Sequence, residues 1–495
     1  MSLINITNLT FAYDGGYENI FENVSFQLDT DWKLGFTGRN GRGKTTFLRL
    51  LQGKYEYKGS ISASVDFEYF PFEVKDGSLT ALEIAEQAAP ELQYWQLSKE
   101  LNILEADEEI LYRPFCTLSN GERTKVLLAS MFLKENSFLL IDEPTNHLDM
   151  KGRELVSRYL NTKKGFILVS HDRSFLDGCI DHVLSINKAD IEIQKGNFSS
   201  WLVNKERRDS FELAENSKLK KEIKRLEAAA KEKSRWSDKA ESRKTGIDPL
   251  KVDNKKGYRP LQAAKSKKLM ARAKAIETRQ QNAVEEKSAL LKNIETADRL
   301  KINQLDYHSA KLVSIRGLSV AYGNEPVFEN LSFEIEKGDR IALQGKNGSG
   351  KSSVLKLICG EDVPYTGIVE IGSGLKISYV SQDTSELCGR LSDYAERYGI
   401  DGGLFNAILS KLDFTGLRYD REIRDLSEGQ KKKVMIARSL CEDAHLHVWD
   451  EPMNFIDVIS RMQIEELLTE FMPTILFVEH DRSFTEKAAN KWVRL

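Results

Sequence analysis

The sequence predicts an α/β fold in which two copies of one domain are joined by a long antiparallel α-helical hairpin. Three observations lead there: a glycine-rich pattern that occurs twice, an acidic pair that follows each occurrence, and a lysine-rich segment of helical periodicity between the copies. The expected boundaries are 1–200 for the first domain, 201–308 for the linker and 309–495 for the second domain. A chain of 495 residues accommodates this at about 100–200 residues per domain. With 41% hydrophobic and 30% charged residues, there is material for packed cores beneath a charged surface. Mean hydropathy is -0.43, and no apolar run approaches the ~18 residues of a transmembrane helix. Met1 leads into Ser2-Leu3-Ile4-Asn5 without a basic and apolar leader, so no secretory signal is expected. Cys116, Cys179, Cys359, Cys388 and Cys441 form no C-x-x-C pair, which argues against a disulfide framework or zinc knuckle and for a reducing cytoplasm.

The first element is a phosphate loop. Gly38-Arg39-Asn40-Gly41-Arg42-Gly43-Lys44-Thr45 fits G-x-x-x-x-G-K-[ST], and Gly345-Lys346-Asn347-Gly348-Ser349-Gly350-Lys351-Ser352 fits it again. The two lysines are 307 residues apart, Asp142-Glu143-Pro144 and Asp450-Glu451-Pro452 are 308 apart, and the His171 and His480 motifs are 309 apart. Three motifs in one order at nearly one offset mean a duplicated domain. Leu34-Gly35-Phe36-Thr37 and Ile341-Ala342-Leu343-Gln344 read as buried strands entering each loop, with helices opening at Thr46 and Ser353.

That layout is the layout of a nucleoside-triphosphatase. Glycines let backbone N–H groups turn around phosphate oxygens, and the helix N-terminus adds a favourable dipole. Lys44 and Lys351 are expected on the β/γ-phosphates, with Thr45 and Ser352 presenting hydroxyls to Mg²⁺. The apolar runs Phe138-Leu139-Leu140-Ile141 and Leu446-His447-Val448-Trp449 would deliver Asp142 and Asp450 to the magnesium shell. Glu143 and Glu451 follow directly, placed to polarise an attacking water.

Leu118-Ser119-Asn120-Gly121-Glu122 and Leu426-Ser427-Glu428-Gly429-Gln430 resemble the signature loop of ABC ATPases. Thr145-Asn146-His147-Leu148-Asp149, together with the repeated His-Asp-Arg-Ser-Phe motif, resembles the ABC-F family. Within it, the loop residues and basic linker look similar to the Lsa-type antibiotic-resistance proteins. The resemblance spans essentially the whole chain and implies two ABC-type P-loop nucleotide-binding domains in one α/β protein. It also implies that two ATP molecules are clamped between the domains, each facing one phosphate loop and the other domain's signature loop. One site would combine Lys44, Asp142, Glu143 and His171 with Ser427 and Gly429; the other would combine Lys351, Asp450, Glu451 and His480 with Ser119 and Gly121. The nucleotide-binding set it implies also includes Gly38, Asn40, Gly41, Arg42, Gly43, Thr45 and Thr46 on one loop. Gly345, Asn347, Gly348, Ser349, Gly350, Ser352 and Ser353 form the matching set. Tyr13 and Tyr322 stand where the family stacks an aromatic on adenine, although an isolated tyrosine there is equally a core or sheet-edge residue.

The copies differ. Gln382 matches a family glutamine that joins the magnesium shell, whereas Phe72 stands at that place in the first copy. Phenylalanine can neither ligate Mg²⁺ nor hydrogen-bond water, so unequal hydrolysis rates are expected. The second copy also reads Met453-Asn454-Phe455-Ile456-Asp457 where the first has Thr145-Asn146-His147-Leu148-Asp149. His182, His308, His445 and His447 are expected to be structural.

From Lys205 to Arg279 there are 24 Lys/Arg and 12 Asp/Glu, a surplus of +12 in a chain whose net charge is -3. Such a segment either meets a polyanion or is a solvated hairpin. Leu219, Ile223, Leu226 and Ala230 recur at helical spacing, and Leu269, Ala273, Ile276 and Ala283 do so on the return. Gly246, Pro249, Gly257 and Pro260 mark a turn near 246–260. Trp236 would pack within the hairpin, while Tyr258, beside Lys255, Lys256 and Arg259, either stacks on a base or packs locally. A connector that only joined two domains would be far shorter. The Lys44-to-Ser119 and Lys351-to-Ser427 distances are 75 and 76 residues, so the first domain carries no inserted arm of the housekeeping ABC-F type. The chain stops at Leu495, leaving no expected C-terminal extension.

The resemblance therefore implies a cytoplasmic, monomeric ATPase with paired cassettes, using ATP and Mg²⁺ and associating with the bacterial 70S ribosome rather than a membrane. It implies contacts with 23S rRNA near the exit site and with P-site tRNA through the linker. The expected outcome is protection from lincosamides, pleuromutilins and streptogramin A, although no residue identifies the drug. A housekeeping translation factor or, less fittingly, the ATPase subunit of an exporter would share the catalytic residues.

Overall fold

Long buried apolar runs and strictly alternating ones fold differently, and this chain contains both. In the first half the strands are β1 (Leu3–Phe11), β2 (Phe21–Asp29), β3 (Lys33–Thr37), β4 (Lys58–Ser62), β5 (Asp66–Phe70), β6 (Ser137–Asp142), β7 (Phe166–Val169), β8 (His182–Ile186) and β9 (Ile191–Lys195). The helices are α1 (Lys44–Leu51), α2 (Ala81–Ala88), α3 (Tyr94–Ile103), α4 (Asn120–Met131), α5 (Met150–Asn161) and α6 (Arg173–Cys179). β3, β6 and β7 are buried on both faces and therefore occupy the middle of a sheet ordered β5-β6-β7-β3-β8-β9. All its pairings are parallel except β8 with β9. β1 alternates buried and exposed positions and centres a small antiparallel sheet, β2-β1-β4. These residues belong to a computed structural model that describes 2–13, 19–146, 148–186, 191–245, 300–323, 325–414 and 422–495.

After α7 (Phe198–Thr245) the plan returns. The strands are β10 (Lys311–Tyr322), β11 (Glu325–Glu336), β12 (Arg340–Gln344), β13 (Tyr365–Ile371), β14 (Ile377–Val380), β15 (Leu446–Asp450), β16 (Ile475–Val478) and β17 (Lys491–Arg494). The helices are α8 (Lys351–Ile358), α9 (Leu391–Arg397), α10 (Gly402–Lys411), α11 (Glu428–Cys441), α12 (Val458–Phe471) and α13 (Arg482–Ala488). A parallel sheet β14-β15-β16-β12-β17 and an antiparallel sheet β11-β10-β13 repeat the first arrangement. Ahead of β10, Leu300, Ile302 and Tyr307 are buried in the cores of this second cassette.

Helix starts follow from local chemistry. Gly43 and Gly350 precede α1 and α8 at φ 90 and 88, and a Cβ would come within 2.5 Å of Ile20 in the first case and 2.8 Å of Phe328 in the second. Both sterics and backbone conformation therefore demand glycine. Ser119 and Ser427 cap α4 and α11 through reciprocal bonds with Glu122 and Gln430. Asp149 and Asp457 cap α5 and α12.

Residues Met1–Trp201 and Ala297–Leu495 form one compact unit, and Leu202–Thr296 forms a second. The 48-residue α7 would reach about 72 Å at 1.5 Å per residue. On it Leu219 and Ile223 are half-buried, while Lys218, Lys220, Lys221, Lys224 and Arg225 are exposed. Trp236 falls on α7, but its side chain, like those of Leu226 and Ala230, lies outside the described residues. The turn near 246–260 with Tyr258, and Leu269, Ala273, Ile276 and Ala283, lie outside them entirely, as does His147. Among the described residues no helix is long and apolar enough to cross a membrane.

One buried ion pair ties the second cassette's helices together. Lys433 Nζ on α11 lies 2.7 Å from Asp457 Oδ2, with both side chains almost wholly buried, and it also donates to the Leu412 carbonyl at 2.7 Å. Burial alone would raise the Asp457 carboxyl, but the Lys433 ammonium holds it well below the usual range. Asp457→Asn keeps the cap and strands the ammonium, so we expect a loss of about 3–5 kcal/mol in urea unfolding, the cost of breaking a buried pair. Because the folded carboxyl titrates below its unfolded value of about 3.9, that contribution is complete above pH ~4 and is lost as the pH falls further. A deficit that vanished at neutral pH would contradict this account.

Candidate nucleotide-binding and catalytic sites

Parallel strand order lays the functional residues side by side. Asp142 ends β6, and Glu143 follows at φ 49 with its N–H anchored to the Val169 carbonyl of β7 at 2.9 Å. His171 leaves the end of β7, and its Nε2 lies 3.3 Å from Glu143 Oε1. The second cassette repeats this: Glu451 at φ 47 is anchored to Val478 at 3.0 Å and lies 3.3 Å from His480 Nε2. A left-handed glutamate costs on the order of 1–3 kcal/mol, a strain found where a side chain must be aimed.

The phosphate loops leave β3 and β12, the strands beside β7 and β16. Lys44 Nζ donates to the carbonyls of Gly38 at 2.6 Å and Arg39 at 3.2 Å and to Asn40 Oδ1 at 3.4 Å. Lys351 Nζ donates to Gly345 and Lys346, both at 2.9 Å. Gly41 and Gly348 turn the loops at φ 80 and 78, and the N–H groups of Arg42 and Ser349 bond back to Arg39 and Lys346. Thr45 Oγ1 donates to Asp142 Oδ2 at 3.0 Å. The hydroxyls of Tyr13 and Thr46 meet at 2.7 Å, as those of Tyr322 and Ser353 do at 2.9 Å, leaving both tyrosine rings about half exposed beside the loops.

Each loop faces the other cassette. A cavity of about 880 Å³ is lined by Asn347, Lys351, Ser352, Gln382, Glu451 and His480 from one cassette and by Ser119 and Gly121 from the other. Around Lys44 the approach is closer. Asn40 Nδ2 donates to the Phe455 carbonyl at 2.8 Å, and Arg39 pairs with Asp413 at 3.1 Å. A Cβ on Gly429 would sit 2.4 Å from the Phe455 oxygen and 3.1 Å from Asn40 Nδ2; among the described residues, one on Gly121 would meet only Leu148, at 3.6 Å. Ser427, the α11 cap, brings Gly429 to that contact.

The acidic pairs differ electrically. Burial, then the neighbouring Asp142 charge, pushes Glu143 up to about 8. Burial acts the same way on Glu451, but the imidazole of His480, a 2.6 Å bond from Asn454 and the Lys351 charge bring it below its ordinary value. Gln382 Nε2 also donates to Glu451 Oε2 at 3.0 Å, a bond that Phe72 cannot make to Glu143. Burial, then the Lys44 charge, lowers His171 strongly. Lys432, buried near Asp450 and Glu451, donates to the Ser381 carbonyl at 2.9 Å where the first cassette has Thr124. Among the described residues Asp450 Oδ1 is buried without a hydrogen-bond partner, and with Ser352 and Gln382 it offers the all-oxygen donor set that suits Mg²⁺. His447 is buried and pushed down to about 4, and His182 stacks on Trp32 at 4.1 Å.

Sequence reading passed over several residues here. Tyr69 donates to Asp142 Oδ2 at 2.8 Å. Arg39 and Asp413 had a readable signal, because the matched positions of the other copy hold Lys346 and Glu105, again a base and an acid. The Phe455 carbonyl had none, being main chain. If the Arg39–Asp413 pair helps to close the Lys44 site, Arg39→Ala and Asp413→Ala should be non-additive in ATP affinity, with a coupling of about 0.5–3 kcal/mol in a double-mutant cycle. Additive effects would show that the pair does not act on nucleotide.

With this geometry established, comparisons with known proteins become informative. The family model described as ABC transporter matches residues 21–146 and 328–454, one segment in each cassette and about half of the chain. The ribosome protection protein VmlR of Bacillus subtilis is 28% identical over 500 residues, covering 99% of this chain and 86% of that one. The energy-dependent translational throttle protein EttA of Escherichia coli K12 is 26% identical over 528 residues, covering 95% of this chain and 88% of that one. Among solved structures, an archaeal ribosome recycling factor in complex with a ribosomal stalk protein superposes with a TM-score of 0.62 at 19% identity, covering 98% of this chain and 87% of that one. The RNase-L inhibitor does so at 0.60 and 20%, covering 99% and 87%. These two likenesses concern the fold alone. The chain belongs to the ABC transporter family, as a twin-cassette ATPase of its ABC-F branch.

Proposed function

We propose that this protein is an ATP-driven ribosome protection factor: it binds the bacterial 70S ribosome near the exit site and uses its basic linker to displace antibiotics from the peptidyl-transferase centre. The observation that carries this reading is the full-length similarity to a ribosome protection protein, extending through the linker. The +12 surplus between Lys205 and Arg279 suits a segment that meets rRNA and P-site tRNA. Lincosamides, pleuromutilins and streptogramin A are the drugs this reading assigns. A housekeeping translation factor is the second reading, favoured by the similarity to EttA; drug susceptibility of a deletion strain separates the two.

In the proposed cycle Lys44 and Lys351 leave their loop carbonyls for β/γ-phosphate oxygens, and the ring faces of Tyr13 and Tyr322 receive adenine. Ser427 and Gly429 complete the Lys44 site, and Ser119 and Gly121 the Lys351 site. Thr45 with Asp142, and Ser352 with Asp450 and Gln382, would hold Mg²⁺, which neutralises phosphate charge when bound. Glu143 and Glu451 orient and deprotonate the attacking water, each braced by His171 or His480 at 3.3 Å. Binding draws the cassettes together on the ribosome, and hydrolysis releases them.

Replacing Glu143 and Glu451 together by Gln removes both bases while preserving shape. Turnover should fall about 10²–10⁴-fold, and the variant should accumulate on ribosomes and arrest growth. Ribosome occupancy equal to wild type in gradient fractions would refute the cycle.

The linker prediction separates attachment from drug removal. Binding should weaken with salt at a log–log slope of roughly -0.7 to -0.9 per neutralised phosphate, and neutralising Lys220, Lys221, Lys224 and Arg225 should flatten it. Deleting the segment 246–260 should leave ribosome binding and ATPase activity but abolish resistance. Unchanged inhibitory concentrations for all three drug classes would rule out a linker that acts at the drug site.

A further inference from the structure

We propose that Tyr69 is a positioning residue of the Lys44 site, holding the Asp142 carboxylate for the metal where the sequence supplies no glutamine. This rests on the reading that Asp142 belongs to the magnesium shell, and it adds a residue to that shell's support.

The argument begins with strand register. β5 runs parallel to β6 with Phe70 level with Ile141, so Tyr69 lies beside the strand end that carries Asp142. Its ring packs against the first-cassette core and its hydroxyl donates to Asp142 Oδ2 at 2.8 Å. Thr45 donates to the same oxygen at 3.0 Å. Two donors converging on Oδ2 fix the rotamer and leave Oδ1 to face a cation or its water shell.

The second cassette provides an internal control. Tyr379 occupies the same place on β14, level with Val448 of β15, and is likewise half-buried. Among the described residues, no hydrogen bond joins its hydroxyl to Asp450. Order is imposed there from two residues beyond the strand, by Gln382 on Glu451 at 3.0 Å. Phe72 stands at the corresponding distance beyond β5 and has no polar atom. Each acidic pair is thus steadied by one side chain from the neighbouring strand or its extension, and the two cassettes use different ones. Partners that orient a metal ligand commonly govern metal affinity by about 10–100-fold.

The test uses the full chain with one site silenced. In a Lys351→Ala background, which removes nucleotide binding at the other site, Tyr69→Phe should raise the Mg²⁺ concentration needed for half-maximal binding of a fluorescent ATP analogue at least ~10-fold, with binding in EDTA unchanged. In a Lys44→Ala background, Tyr379→Phe should leave the Mg²⁺ requirement within about twofold, since among the described residues no hydrogen bond joins that hydroxyl to Asp450. An unchanged requirement in Tyr69→Phe overturns the proposal, and an equal shift in Tyr379→Phe overturns its restriction to one site. Asp142→Asn in the first background reports on the underlying reading: if it leaves the Mg²⁺ requirement untouched, Asp142 is not in the magnesium shell.

Discussion

The structure depends on one constraint, the register of parallel strands whose C-terminal ends must come level. In the first cassette β5, β6, β7 and β3 lie in that order, and their ends carry Tyr69, the Asp142-Glu143 pair, His171 and the phosphate loop. In the second, β14, β15, β16 and β12 present Gln382, Asp450-Glu451, His480 and the other loop. Neighbouring strands lie about 4.7–4.9 Å apart, close to the reach of one side chain to the next. A one-residue slip would turn each functional side chain to the opposite face. The doubly buried apolar strands resist such a slip, and the 3.3 Å approach of histidine to glutamate in both cassettes is one consequence.

What could be read in the sequence follows from that geometry. The phosphate loops, acidic pairs and signature caps are contiguous stretches whose chemistry sits within a few residues, so their positions were legible. The fold class was legible too, because short apolar strands alternating with helices around a glycine loop leave few alternatives. Contacts between distant segments were not. Tyr69 and Asp142 are 73 residues apart, and Asn40 and the Phe455 carbonyl 415 apart. A lone tyrosine in Asp66-Phe67-Glu68-Tyr69-Phe70 carries no mark that separates a hydroxyl bonded to a strand-end carboxylate from a sheet-edge ring. Phe72 showed that one site lacked a polar group but not which residue stood in for it.

Duplication set up the two sites as equals, and later substitution divided them. Around Glu451 the imidazole of His480, the 2.6 Å bond from Asn454 and the Lys351 charge bring the carboxyl below its ordinary value despite burial. Around Glu143 burial and the neighbouring Asp142 charge prevail and push the carboxyl up to about 8. A general base must be ionised to act, and the two glutamates start from opposite electrostatic settings. The Lys351 site starts with its base ready. The dense contact of Asn40, Arg39 and Gly429 with the opposite cassette lies at the site whose glutamate is raised.

Ion pairs beneath these sites limit how such a change can occur. Arg153 of α5 meets Asp172 at 2.9 Å, one residue beyond His171, and Arg461 of α12 meets Asp481 at 3.2 Å, one residue beyond His480. Each pair joins the histidine turn to the helix capped by Asp149 or Asp457. Arg173 adds a buried contact across the cassettes to Glu465. Breaking a buried pair by moving one partner leaves an uncompensated charge, at a cost of about 3–5 kcal/mol. A rearrangement that separated His171 from α5 would carry that cost; one that moved the histidine turn and its helix together would not. The charged network therefore favours rigid displacement of each histidine turn together with its helix.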